Sequence, residues 1–166
     1  VTPTEEYIRE LTRLKLGELG LLRAHTGQGI DESVEAFDLF SGLWWPLRQA
    51  SPRAPRREVA WLIAKLYAGR PMPQSQGATL ARLMRVRCPA RDPERKRYVQ
   101  RFDALVALPV RKMEPALRLA LDRVAPGSRG LDWVRLTDDL SRWNREETRM
   151  VWVKQFTGIE EREESC

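Results

Sequence analysis

The sequence predicts an all-α protein: a compact bundle of about eight helices, built either as one body or as two small helical lobes. Apolar residues recur three and four positions apart along most of the chain, which is the spacing that lines one face of a helix. Proline and glycine separate these segments, and no stretch alternates as a half-buried strand does. Apolar residues make up 42% of the 166 residues, which is enough to build a buried core.

The first two predicted helices precede a proline-containing loop. One begins near Thr4, because threonine caps helices and the acidic residues that follow it favour the positive end of the helix dipole. The other follows a cap at Asp31 or Ser33. It should end at Trp45-Pro46, because the residue before a proline disfavours helical geometry.

The middle of the chain predicts four more helices, the last of which contains Leu117, Leu119, Leu121 and Val124. Pro55 would occupy the first turn of a well-buried helix, which Gly69 would end in a left-handed conformation. A short helix should contain Leu80 and Met84. Asp92-Pro93-Glu94 then combines a cap, a proline and an acidic residue, which is typical of a helix start.

The C-terminal part predicts two final helices after a linker at residues 126–130. They span roughly residues 132–141 and 145–157. Asn144 and Glu147 have the spacing of a capping box at the start of the second helix.

A chain of this length suits one domain. We expect residues 1–158 to form a single all-helical domain and residues 159–166 to form an acidic C-terminal tail. No apolar stretch approaches the ~20 residues that span a bilayer, and the N-terminus lacks the pattern of a secretory signal. Two cysteines fit a reducing compartment. The chain is therefore expected to be cytoplasmic, with no membrane partner.

The charge is partitioned along the chain. Residues 1–50 carry 5 basic and 8 acidic side chains, residues 51–130 carry 18 and 6, and residues 131–166 carry 6 and 9. The middle section has a balance of +12, twice the +6 of the whole chain. Arginine supplies 24 of the 29 basic residues, and its planar guanidinium suits phosphate. A GC-rich genome would explain the excess of arginine over lysine but not this clustering, which predicts binding to nucleic acid or another polyanion.

The basic residues form clusters that are candidate nucleic-acid contacts. From Arg82 to Arg101, twenty residues hold eight basic and two acidic side chains. Phosphate binding there would release counterions, and a second cluster lies at a predicted helix N-terminus, where backbone N–H groups also favour phosphate. The candidates are Arg53, Arg56, Arg57, Arg82, Arg85, Arg87, Arg111, Lys112, Arg118, Arg142 and Arg145.

The titratable residues do not predict a catalytic or metal site. His25 is the only histidine, and Cys88 and Cys166 lie far apart in the sequence. Zinc sites and histidine-activated nucleophiles usually need more of these residues. Asp138-Asp139 and Glu146-Glu147 would point about 100° apart on a helix, so we interpret them as solvated faces and caps. We expect a non-enzyme without metal or cofactor, in which His25 is a loop or phosphate-contact residue.

The six tryptophans are interpreted mainly as core residues. Tryptophan can stack on bases in single-strand binders. However, Trp61, Trp133 and Trp152 fall in register with apolar neighbours, which favours burial. Trp44 and Trp45 cannot both face inward, so one of them should be partly exposed.

Three segments resemble a known family. They are Gly77-Ala78-Thr79-Leu80-Ala81-Arg82-Leu83, then Arg95-Lys96-Arg97-Tyr98-Val99-Gln100-Arg101-Phe102, and finally Leu131-Asp132-Trp133-Val134-Arg135-Leu136 followed by Asp139-Leu140, Trp143, Val151-Trp152 and Phe156. Together they resemble the CasB family, the small subunit of the type I-E CRISPR surveillance complex, Cascade. The likeness covers almost the whole chain and is strongest from Gly77 to Gly158.

The resemblance implies an all-helical, non-enzymatic subunit that lies beside the backbone subunits of Cascade, with a second copy of itself arranged head to tail. Its partners would be crRNA, target DNA including the displaced non-target strand, and other Cascade subunits. Its basic surface would stabilise the R-loop without reading sequence. The family's basic contacts best match Arg23, the cluster Arg53–Arg57, Arg82 with Arg85, Arg118, and Arg142 with Arg145.

Two other functions remain open from the residues alone. One is a helical DNA-binding transcriptional regulator, which would recognise a defined operator as a two-fold dimer. The other is a protein-interaction module whose basic face binds an acidic protein.

Overall fold

The structure is a computed structural model that describes residues 1–159. Nine α-helices and two 3₁₀ turns form this part of the chain. No strand occurs within this range, so the prediction of an all-α fold is confirmed, with one helix more than expected. The 3₁₀ turns are Ile30–Glu32 and Val110–Lys112. The helices are α1 (Pro3–Thr12), α2 (Leu16–Ala24), α3 (Val34–Ala50), α4 (Arg57–Gly69), α5 (Leu80–Arg87), α6 (Glu94–Ala107), α7 (Glu114–Val124), α8 (Trp133–Ser141) and α9 (Glu146–Thr157).

Helix α4 lies at the centre of the bundle. Every residue from Val59 to Ala68 is buried, because α2, α3, α7 and α8 all pack around this helix. α1 contacts α3 and α8, whereas α5 packs against both α7 and α9. The buried apolar side chains of both halves of the chain join in one continuous cluster.

The tryptophans occupy the positions that their register predicts. Trp61, Trp133 and Trp152 are buried. Trp44 is also buried, whereas its neighbour Trp45 is 51% exposed. The predicted division between these two adjacent side chains is therefore confirmed.

Helix α3 continues through Pro46 to Ala50, so the prediction that it ends at Trp45-Pro46 is wrong. Proline removes one helical hydrogen bond and disfavours helix in the residue before it. Pro46 is exposed, and Trp44, two residues before it, is fixed by stacking on Phe40 and by donating from Nε1 to the carbonyl of Pro55 at 2.7 Å. Tertiary contacts thus outweigh the local penalty of the proline.

Both predicted ends of α4 also differ in detail. The helix begins at Arg57 rather than at Pro55, whose carbonyl accepts the Trp44 indole N–H instead of starting the helical ladder. Gly69 is the last helical residue and is not left-handed; the helix ends instead because Arg70 adopts an extended φ of −142°.

Helices α6 and α9 begin without a side-chain cap, so the predicted caps at Asp92 and Asn144 are wrong. Backbone turns precede both helices. Before α6, the Arg95 amide donates to the Arg91 carbonyl at 3.0 Å. Before α9, the Arg145 amide donates to the Arg142 carbonyl at 3.0 Å. These turns bring the chain into each helix without a side-chain acceptor.

The segment Leu131-Asp132 fastens the loop before α5 to the start of α8. Asp132 caps α8 by accepting the Arg135 amide at 3.0 Å, and the same carboxylate accepts Gln74 Nε2 and the Gly77 amide, both at 2.9 Å. Leu131 exchanges backbone hydrogen bonds with the same loop. One of the three family-like segments therefore has a structural role here.

Candidate nucleic-acid interface

A groove of about 580 Å³ lies beside the N-terminus of α4 and is the first candidate site. Arg56 and Arg57 line it at the start of α4, and Arg111 lines it from the turn Val110–Lys112. The loop of residues 27–31 contributes further lining. Arg56 and Arg57 lie far from Arg111 in the sequence, and the fold brings them into one groove.

A buried polar network forms part of the groove lining. The Lys65 side chain is 4% exposed, and its Nζ donates to Glu114 Oε1 at 2.6 Å and to the Gln28 carbonyl at 2.8 Å. Glu114 Oε2 accepts the Gly27 amide at 2.8 Å and Arg118 Nη2 at 2.9 Å. The network fixes the loop against α4 and α7. Arg118, one of the predicted nucleic-acid contacts, therefore forms an ion pair with Glu114.

Sequence reasoning missed Lys65 as a determinant of this groove. The available signal was a single lysine within the uninterrupted buried run of α4, between Ala64 and Leu66. A buried ammonium needs a counter-charge, so such a lysine indicates a buried acidic partner. The identity of that partner, Glu114, depends on the tertiary packing of α4 against α7.

The arginines of the groove differ in their availability. Arg57 pairs with Asp31 at 2.8 Å and lies over the Phe37 ring, with Cζ 5.9 Å from its centroid. Arg56 and Arg111 are exposed and form no ion pair with any residue of the described chain. Among the arginines of the groove, these two are therefore the ones that are not paired with a described carboxylate.

A second cleft of about 680 Å³ lies between α8 and α9. Its charged lining residues are Arg135, Arg142 and Arg145, together with Asp139 and Glu147. Arg142 and Arg145 are both exposed, and neither forms an ion pair within residues 1–159. The sequence predicted this arginine pair but missed Arg135.

Asp139 is buried and contacts the Arg135 side chain, so its interpretation as part of a solvated helix face is wrong. It is 8% exposed, and its carboxylate accepts Arg135 Nε at 3.1 Å and Trp152 Nε1 at 2.8 Å. Burial raises the pKa of Asp139 above the ordinary value of 3.8, while the hydrogen bond from Trp152 and the charge of Arg135 oppose that rise. Its neighbour Asp138 accepts the Thr4 hydroxyl at 2.7 Å.

The raised pKa of Asp139 predicts a pH dependence of stability. As the pH rises above 3.8, the unfolded state loses this proton before the folded state does. The folded state then binds more protons, so its stability falls until the pH passes the raised native pKa. We expect the free energy of unfolding of the wild type, relative to Asp139→Asn, to decrease over this interval. Urea unfolding between about pH 3 and pH 7 measures it; a difference that rises with pH would contradict the assignment.

The arginines of α5 are packed against neighbouring loops. Arg82 Nη1 donates to the Gly77 carbonyl at 2.9 Å, and Arg87 donates to the Pro126 carbonyl. The guanidinium of Arg85 lies so close to Gly158 that a Cβ there would meet its Cζ at 2.5 Å. Arg82 and Arg87 thus bind neighbouring loops, and Arg85 lies against the C-terminal end of α9.

The remaining candidates are dispersed. Arg23 Nε donates to the Ala68 carbonyl at 3.1 Å, which ties α2 to the end of α4. Arg53 and Lys112 are exposed but line neither the groove nor the cleft. His25 ends α2, where its ring contacts the Leu21 carbonyl through Nδ1 at 2.8 Å.

Two further findings concern residues 1–159 only. No group of three or more His, Cys, Asp or Glu side chains in this range is arranged to hold a metal ion. None of its helices combines the length and the apolar character needed to cross a bilayer. Cys166 and the predicted acidic segment beyond Ile159 lie outside the described residues.

Comparisons with known proteins agree on one family. Residues 18–156 match the family model described as CRISPR-associated protein Cse2. The fold is similar to that of M. ruber CasB, with a TM-score of 0.75, 23% identity, and coverage of 99% of this chain and 98% of that one. It is also similar to a Cse2-family protein from Thermus thermophilus (TM-score 0.70, 24% identity, coverage 95% and 99%) and to CasB from Thermobifida fusca (TM-score 0.66, 19% identity, coverage 92% and 94%).

A search of curated protein sequences gives no significant match. The family model nevertheless spans most of the chain, including nearly all of the segment from α2 to α9. This protein belongs to the CRISPR-associated Cse2 family, also named CasB.

Proposed function

We propose that this protein is the non-catalytic small subunit of the type I-E CRISPR surveillance complex, Cascade. In that complex it binds the region of crRNA and target DNA, together with the displaced non-target strand, and so stabilises the R-loop in antiviral defence. Its protein partners are the other Cascade subunits and a second copy of itself, arranged head to tail. Membership of the Cse2 family supports the assignment to the complex.

One observation carries the proposal of nucleic-acid binding. Arg56 and Arg111 in the groove, and Arg142 and Arg145 in the cleft, are guanidinium groups that line a cavity without an ion pair in the described chain. Arginine in such sites can engage phosphate oxygens in a bidentate manner.

The mechanism is electrostatic. Exchanging a DNA duplex for an RNA–DNA hybrid is nearly balanced in free energy, so a few additional contacts to the backbone can shift the equilibrium. Arginines that hold the displaced strand make its reannealing less favourable. No chemical step by this subunit is required.

Neutralising the cleft arginines tests the proposal. We expect Arg142→Gln combined with Arg145→Gln to weaken binding of single-stranded DNA to a similar degree for unrelated sequences. The slope of log K against log salt should become shallower by about 0.7 for each phosphate of the single strand that the variant no longer neutralises. Fluorescence anisotropy of labelled oligonucleotides with the full chain, at several salt concentrations, measures both effects.

A matched control is Arg9→Gln combined with Arg13→Gln. These arginines are exposed on α1 and at its C-terminal end, where they pair with Glu6 at 3.2 Å and Glu10 at 3.1 Å, and their replacement should leave the affinity and the salt slope unchanged. Strong preference for one DNA sequence would favour the transcriptional regulator instead. Failure of the wild type to bind DNA at moderate salt would favour the protein-interaction module.

A further inference from the structure

We propose that an apolar pocket between α5, α6 and α7 is a docking site for one hydrophobic side chain of an acidic protein segment. The pocket has a volume of about 190 Å³. Its walls are formed by Met84 of α5, Leu105 and Leu108 at the end of α6, and Ala116 and Ala120 of α7. It is distinct from the groove and the cleft, with which it shares no lining residue.

The size of the pocket restricts the occupant. An apolar protein cavity of about 150 Å³ accommodates benzene, so this pocket can hold a phenyl ring or a branched aliphatic side chain. Sites for drug-sized ligands and cofactors begin at about 300 Å³. A single large side chain therefore fits the volume better than a nucleotide does.

The chemistry of the lining favours a protein side chain over a nucleobase. The Tyr98 hydroxyl is the one uncharged polar side-chain group in the lining, and it already donates to the Met84 carbonyl at 2.6 Å. Burial raises the pKa of Tyr98 to about 12, so this donor stays protonated. A nucleobase placed here would leave its polar edge without partners in the pocket, which costs free energy.

The rim of the pocket determines the charge of the partner. Arg101 and Arg123 line the pocket, and neither forms an ion pair with any residue between 1 and 159. No acidic residue lines the pocket, and Leu119 is 49% exposed at its edge. An arginine pair beside a small apolar pocket complements a leucine, isoleucine or phenylalanine flanked by aspartate or glutamate.

A synthetic peptide of about twelve residues, with one phenylalanine among aspartates and glutamates, is the probe of this charge and shape complementarity. We expect the full chain to bind it, and to bind the same peptide with alanine in place of phenylalanine at least about tenfold more weakly. Ala104→Trp should block the pocket and weaken binding by a similar factor. Ala104 lines the pocket but is exposed, so this variant should fold, which circular dichroism verifies.

Two charge-reversal variants of α6 test the role of the pocket arginines, one at the pocket and one outside it. Arg101→Glu should weaken binding of the peptide, whereas Arg97→Glu, on the same helix but outside the pocket, should not. Equal losses in both variants, or unchanged binding in Ala104→Trp, would show non-specific attraction and overturn the proposal. Absence of peptide binding to the wild type would also overturn it.

The same variants separate this proposal from DNA binding. Ala104→Trp should leave the affinity for single-stranded DNA unchanged, since the groove and the cleft do not include Ala104. If Ala104→Trp weakens DNA binding more than peptide binding, the pocket holds a nucleobase and the present assignment of the partner is wrong.

Discussion

Replacing Trp133 with alanine is expected to lower the free energy of unfolding by about 3–5 kcal/mol, the range observed for deletion of large buried aromatic side chains. Trp133 is 0% exposed, and its ring lies edge to face with Tyr67 at a centroid distance of 5.5 Å. Its Nε1 donates to the Met72 carbonyl at 2.8 Å. The substitution removes the packing and also leaves a buried carbonyl without this donor. Urea unfolding followed by circular dichroism measures the loss.

Trp45→Ala makes the same chemical change at a matched position. Because Trp45 is 51% exposed, its loss should change the free energy of unfolding far less, within about 1 kcal/mol. Similar losses in the two variants would contradict the assignment of Trp133 to the core. The comparison also tests whether the Leu131-Asp132-Trp133 segment is structural, because a residue that served nucleic-acid binding alone would leave stability intact.

The second large effect is expected from the buried pair of Lys65 and Glu114. Glu114→Ala should lower the free energy of unfolding by about 3–5 kcal/mol, because it leaves the Lys65 ammonium buried without its counter-charge. Glu114 is only 14% exposed and also accepts the Gly27 amide. The loop of residues 27–29 should therefore become more mobile, and hydrogen exchange of its amides should accelerate.

A double substitution distinguishes loss of a partner from loss of packing. Lys65→Met combined with Glu114→Leu should be much less destabilising than Glu114→Ala, because no unpaired charge remains. Glu10→Ala removes an exposed ion pair with Arg13 and should cost at most about 1 kcal/mol. If the double variant is as unstable as Glu114→Ala, the pair contributes through packing and not through its charges.

Helix type, core composition and overall charge could be read from local patterns. The apolar run of α4 and the register of Trp61, Trp133 and Trp152 correctly indicated burial. The same reasoning correctly indicated that one of the adjacent residues Trp44 and Trp45 is buried and the other is exposed. These properties follow from the helical repeat of about 3.6 residues, which acts over a few turns and needs no knowledge of distant segments.

Predictions from local sequence patterns were wrong where a contact with a residue distant in the sequence outweighed the local conformational preference. α3 passes Pro46, with Trp44 anchored to the Pro55 carbonyl, and α4 starts two residues later than the proline suggested. Asp139, which sequence placed on a solvated face, is buried beside Trp152. In each case, a contact formed by the packing of helices outweighed a local preference.

The sequence by itself therefore determined that this protein is an all-helical bundle with a basic middle and a tryptophan-rich core, because composition and periodicity are local properties. Only the tertiary structure decided that Arg56 and Arg111 share a groove, that Lys65 and Glu114 support it, and that Arg82 and Arg87 bind neighbouring loops. Residues far apart in the chain meet only through the path of the backbone and the packing of helices. Which charges are paired and which remain available is therefore a property of the fold.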